Sequence, residues 1–233
     1  MPREIDFEPI IKRAFASFYG PEEYKQLLTE NFYPVGWSRD GKFAYMVEPP
    51  DEECGCYFAE IHIVDLRTDQ SLWEYKNDPE KRVAKDGSYL PDDLKRFWKR
   101  NQTLFSKKLI AYKIEQSPKF ALLLNRFASG GRRYALDLDV RKAPNDSMGI
   151  DAVNAATLVL SSPGLGKKTV YSPADKDFRE YPPLDMAVVG AFRSPFEDRV
   201  AIVLVNVYRG WEGPPHITES KIVGADLKSG FTK

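Results

Sequence analysis

Few residues in this sequence are equipped for chemistry, and their spacing narrows what they can do. Cys54 and Cys56 are its two cysteines, and one glycine separates them. Glu60 and His62 follow, two apart and so on one face of a strand. These four could offer thiolate, carboxylate and imidazole donors to a metal, although no second Cys/His pair completes a tetrahedral set. The cysteines also read as free loop thiols, or as a bridge across one residue. His62 and His216 are the only histidines, so a Ser/Cys–His–acid triad would need one of them. No Gly-x-Ser-x-Gly elbow is present to supply its nucleophile.

Pro163-Gly164-Leu165-Gly166-Lys167-Lys168-Thr169 invites a phosphate-loop reading and fails it. The required spaced glycine is missing, Lys167 is followed by Lys168 rather than Ser or Thr, and strands flank the segment on both sides. It reads as a glycine hairpin. Acid pairs such as Glu52/Glu53 and Asp92/Asp93 are ordinary solvated residues in a chain this charged, yet carboxylates spread over several strands could still meet in a hydrolase site. The most unusual loop is Arg209-Gly210-Trp211-Glu212-Gly213-Pro214-Pro215, because a tryptophan between glycines either lids the core or anchors a ligand. Trp37, Tyr208, Trp211 and Glu212 are the candidate ligand- or partner-binding residues; Cys54, Cys56, Glu60 and His62 are the candidate metal set. No catalytic residue and no cofactor is assigned.

The 233 residues carry 34 basic and 34 acidic side chains, a net formal charge of zero. No overall field favours phosphate, which argues against a general nucleic-acid binder. No apolar run approaches the roughly 20 residues of a membrane span. The N-terminus lacks an apolar signal region, so the expected location is cytoplasmic, or periplasmic or secreted if a leader has been removed.

The elements that must position these residues are mostly strands. Apolar residues from Ile5 to Phe18 recur at helical spacing, and Pro21, Glu22 and Glu23 suit the first turn of a second helix, so 1–31 reads as a helical pair. Strands are expected at 43–47, 57–66 and 72–75, inside a first β unit over 32–75. A basic helix is expected over 91–107, its stripe of Leu94, Phe97, Trp98, Leu104 and Phe105 reading as core rather than as a stacking platform for nucleic acid. Further strands are expected at 109–115, 119–126, 133–142, 154–161, 167–171, 186–193, 199–208 and 217–227. No helices intervene, so pairing should be antiparallel.

Two distant stretches share an order of landmarks. Val35-Gly36-Trp37 and Val189-Gly190-Ala191-Phe192 each lead through a turn and a basic residue into an apolar strand. Pro49-Pro50 and Pro214-Pro215 follow, then Asp65-Leu66-Arg67-Thr68 and Asp226-Leu227-Lys228-Ser229. The echo predicts two related β units, the second over 186–229, related by a pseudo-twofold.

Gly36-Trp37-Ser38-Arg39-Asp40-Gly41-Lys42-Phe43-Ala44-Tyr45 resembles the strand–turn–strand signature of TolB-type β-propeller blades. The signature does not recur every ~40–50 residues as a full propeller requires. Trp37 to Lys42, Tyr57 to Asp65 and Arg209 to Pro214, in that order, resemble bacterial families described as predicted secreted proteins of unknown function. That resemblance implies an envelope location and carries no activity.

The sequence thus points to one α+β domain, mainly antiparallel β with an N-terminal helical pair and one further helix. Its two related β units are propeller-like or a sandwich. The expected function is a non-enzymatic binding or interaction module with a protein or envelope partner, no nucleic acid and no transmembrane segment. The alternative is a hydrolase acting through clustered carboxylates. A deep pocket with convergent acids would favour the hydrolase, and an exposed aromatic patch the binding module.

Overall fold

A computed structural model describes residues 1–19, 27–52, 54–117, 119–145, 149–173, 178, 181–211 and 213–233. The order of elements is α1 (Glu8–Ala14), β1 (Leu27–Leu28), β2 (Asn31–Trp37), β3 (Lys42–Glu48), β4 (Glu60–Asp65), β5 (Gln70–Lys76), α2 (Leu94–Ala111), β6 (Glu115–Gln116), β7 (Leu122–Leu123), β8 (Arg126–Ser129), β9 (Arg132–Asn145), β10 (Ile150–Ser162), β11 (Gly166–Tyr171), β12 (Asp185–Arg193), β13 (Arg199–Gly210) and β14 (Gly213–Asp226). The fold is mainly antiparallel β with two α-helices among the described residues.

The described residues form three sheets, in the orders β5-β4-β3-β2-β6, β1-β14-β13-β12-β7 and β11-β10-β9-β8. Side-chain alternation stacks them. On β2, β3 and β4, Tyr33, Ala44, Met46, Ile61 and Ile63 pack on Phe97, Phe105 and Leu109 of α2. The opposite face, with Phe32, Trp37, Phe43, Tyr45 and Val47, packs on Phe192, Ala201, Val203, Val205 and Val207 of the second sheet. The far face of that sheet, with Val200, Ile202, Leu204 and Val223, packs on Tyr134, Leu136, Leu158 and Leu160 of the third. The period of two lets one strand serve both neighbours, so β13 is apolar on both faces.

Two corrections concern the helices. After α1 a 3₁₀ turn, Ala16–Phe18, follows, and Leu27–Leu28 pair with His216 and Ile217 as a parallel strand rather than closing a second helix. Pro21 to Tyr24 of that expected helix lie outside the described residues. The helix expected over 91–107 starts at Leu94, where the Asp93 carboxylate accepts from the Arg96 N–H, and runs on to Ala111. The strand expected at 109–115 is therefore largely helix, and only Glu115–Gln116 pair, against β2.

The segments 35–68 and 189–229 each contain a three-stranded antiparallel meander, β2-β3-β4 and β12-β13-β14. Val35 and Val189 each bulge out of register immediately before Gly36 and Gly190. A two-residue strand then lies against each glycine or its neighbours, β6 in one case and β7 in the other. The following turns close alike. Ser38 N–H donates to Lys42 O and Leu66 N–H to Gly41 O, while Ser194 N–H donates to Arg199 O and Leu227 N–H to Asp198 O.

Superposing the turns sets Phe43 and Leu66 against Val200 and Leu227. Phe43 and Leu66 face the second sheet, whereas Val200 and Leu227 face the third. The two meanders therefore stack front to back. This corrects the expected pseudo-twofold, which would turn like faces toward each other.

Candidate functional site: an acidic cleft between the first two sheets

The apolar layer between the first two sheets ends in polar residues. Along β3 and β4 the cross-strand pairs on its face run Phe43–Val64, Tyr45–His62 and Val47–Glu60, and β5 continues the last two with Glu74 and Lys76. The apolar ladder thus becomes ionisable within two pairs. Opposite it, β14 carries only two paired residues of β1 on its outer edge, so that edge beyond Ile217 has no strand partner among the described residues. Between the two lies a cleft of about 270 Å³, lined by Glu30, Tyr45, Val47, Pro49, Pro50, Glu60, His62, Lys76 and residues 217–220.

Glu30 ties the cleft together. It sits between β1 and β2, 8% exposed, with its N–H donating to Thr218 Oγ1 at 2.9 Å. Its Oε2 accepts from the Ser220 N–H at 2.8 Å, standing in for the missing neighbour strand. Asp69 does the same further along, its Oδ1 accepting from the Gly224 N–H at 2.7 Å. Burial pushes the Glu30 carboxyl up to about 8, and Glu219 and Glu60 add to the rise against the pull of the Ser220 bond.

Glu60 goes the other way. Burial raises it, but His62 Nε2 and Lys76 Nζ, each at 3.1 Å, more than offset this and hold it below the ordinary glutamate range. His62 stacks on Tyr45 with ring centroids 4.9 Å apart, and its Nδ1 lies 3.8 Å from Glu74. Burial and Glu60 raise Glu219. One carboxyl held protonated therefore faces one held ionised, with a single lysine among the lining residues.

The other expected residues divide sharply. Trp37 is 1% exposed and packs on Phe43 at 4.7 Å, so it is core and cannot anchor a ligand at the surface. Trp211 is 82% exposed at the β13–β14 turn, its N–H bonded to Glu52 Oε1 at 3.0 Å. Tyr208 stacks on Tyr181 at 5.7 Å, and it pairs in register with Ile217 at the edge of the cleft. Glu212 lies outside the described residues. Glu60 and His62 do meet, but Cys54 and Cys56 are joined in a disulfide and offer no thiolate. Among the described residues no group of three His, Cys, Asp or Glu side chains is arranged to hold a metal, so the expected metal set is not assembled.

Sequence reasoning missed Glu30. It fell inside the expected second helix, where an acid reads as solvated. The signal available was the run Phe32-Tyr33-Pro34-Val35, whose proline favours extended chain at Tyr33, three residues after Glu30.

Comparison with known proteins adds no assignment: no family model, no curated protein and no solved structure matches the chain. No helix among the described residues is long and apolar enough to cross a membrane.

Proposed function

We propose that this chain is a binding module whose ligand enters the acidic cleft with a cationic group foremost. The observation that carries this reading is the convergence of Glu60 and Glu219, with the protonated Glu30 as a neutral hydrogen-bonding neighbour, on one cleft with Lys76 as its lysine. An ammonium or guanidinium would complete the charge there and displace Lys76 from Glu60. Calorimetry with spermidine tests it. Saturable binding that Glu60→Gln and Glu219→Gln each weaken about tenfold supports the reading; no heat of binding ends it.

A second reading, hydrolysis through these carboxylates, rests on the opposed shifts of Glu30 and Glu60. A protonated acid facing an ionised one is the division of labour that acid–base hydrolysis requires. A screen of aryl glycosides and esters tests it, with Glu30→Gln expected to abolish any turnover found. Turnover that survives Glu30→Gln removes this assignment.

The two meanders are read here as copies of one blade-like unit, in line with the TolB-type turn at Trp37 to Lys42. Their shared strand order, bulge and turn bonds support this.

A further inference from the structure

α2 carries Lys95, Arg96, Lys99, Arg100, Lys107 and Lys108 and no acidic residue, so in a chain of zero net charge the remainder has 28 basic against 34 acidic residues. Its core stripe, Phe97, Phe105 and Leu109, is buried against the first sheet. At about 100° per residue, Lys95, Arg96, Lys99, Lys107 and Ile110 fall within one arc of about 120° that runs from the flank of the core stripe across the side away from it, and all five are exposed. Arg100 is held by Asp92, Lys108 lies over Trp73, and Arg96 reaches Asp93 at 3.6 Å. Lys95, Lys99 and Lys107 have no ion-pair partner among the described residues, and Ile110 among them is 77% exposed. Basic residues concentrated on one face of a helix, with an aliphatic side chain in their midst, complement a negatively charged surface.

We propose that this face of α2 docks on the surface of an anionic phospholipid bilayer, with the helix axis parallel to the membrane plane. Three features choose the bilayer. The unpaired cations are lysines on flexible stems, which suit a fluid layer of headgroups better than the fixed counter-charges of a folded protein. Ile110 adds an apolar contact that headgroups can accept. Nucleic acid would call for exposed aromatic rings between the cations, and Phe97 and Phe105 instead face the core.

Each lysine near such a surface strengthens binding about fivefold, and salt screens the effect. Sedimentation with vesicles tests the proposal, comparing phosphatidylcholine alone with equal parts of phosphatidylcholine and phosphatidylglycerol. The expected result is binding to the mixed vesicles only, falling as salt rises, and weakened by more than about 100-fold by the triple variant Lys95→Glu/Lys99→Glu/Lys107→Glu. Arg126→Glu/Arg132→Glu/Arg133→Glu, an equal charge change on the exposed β8–β9 hairpin, should leave binding within about twofold. Should the lysine reversals unfold the chain by circular dichroism, the corresponding Lys→Gln triple replaces them, with the loss of three fivefold contributions, on the order of 100-fold. The proposal is overturned by no preference for mixed vesicles, by retention in the lysine variant, by equal loss in the arginine variant, or by tighter binding to a single-stranded oligonucleotide than to the vesicles.

Discussion

The meanders β2-β3-β4 and β12-β13-β14 share strand order, bulge position and turn bonding, and differ in what lies beyond their third strand. β4 is followed by a full antiparallel neighbour, β5, whereas β14 receives, among the described residues, only Leu27 and Leu28 of β1, running parallel. The rest of that β14 edge is met by side chains, with Glu30 on Ser220 and Asp69 on Gly224. Where a strand completes the sheet, the layer stays closed; where carboxylates take its place, a polar cleft opens. The candidate site is thus the place where two otherwise similar meanders diverge, which a comparison of their shared features alone would pass over.

Glu30 offers the strongest way to break this contrast. Its carboxyl holds a proton up to about pH 8 in the fold, while a free glutamate loses it near 4.5. The folded chain therefore binds the extra proton across that window, and the contribution of Glu30 to stability is lost as pH rises through it, by on the order of 5 kcal/mol. Urea titrations from pH 5 to pH 9 should show a decline in the wild type relative to Glu30→Gln. Parallel curves for the two would mean that Glu30 is not buried as described.

The glycines sharpen the likeness. A Cβ at Gly36 would collide with the Glu115 carbonyl, and one at Gly190, where φ is 152°, would lie 2.7 Å from the Leu123 carbonyl. Gly36→Ala and Gly190→Ala should each cost about 3 kcal/mol in chemical denaturation. A large cost at one glycine and none at the other would separate the two bulges.

Asp69→Ala should cost about 1 kcal/mol, since it strips one acceptor from the β14 edge and leaves the Glu30 end in place. Hydrogen exchange read at the Gly224 amide would report it, with faster exchange there than at Ser220. Trp211→Ala is expected to change stability by less than about 0.5 kcal/mol, because its ring packs on little. A melting temperature that drops sharply would show that the ring lids the fold after all.

Much of the sheet framework was legible in the sequence. The runs at 43–47, 186–193 and 199–208 alternate or are apolar throughout, and β3, β12 and β13 lie on them. What escaped depended on distant partners. Leu27 and Leu28 have helical company in sequence, and only their pairing with β14 makes them a strand. Helical spacing persisted through Lys108, Leu109 and Ile110, but their apolar residues also read as strand. The Trp37 ring could not be assigned to core or surface locally, because it is the packing of the second sheet on its face that buries it. Glu30 and Glu219 meet across 189 positions of chain, a separation at which no spacing rule operates.

Front-to-back stacking has no built-in end, since each layer presents to the next the same kind of surface it has itself received. This molecule stops growing at both extremities by different means. α2 occupies the place a further sheet would take on one side, and on the other β9 turns Arg133, Asp137, Asp139 and Arg141 to water. Those two terminators keep a potentially open-ended pile of sheets finite, as polar end units do in repeat arrays. Lengthening the pile by insertion would therefore succeed only at an internal junction, behind one of these caps.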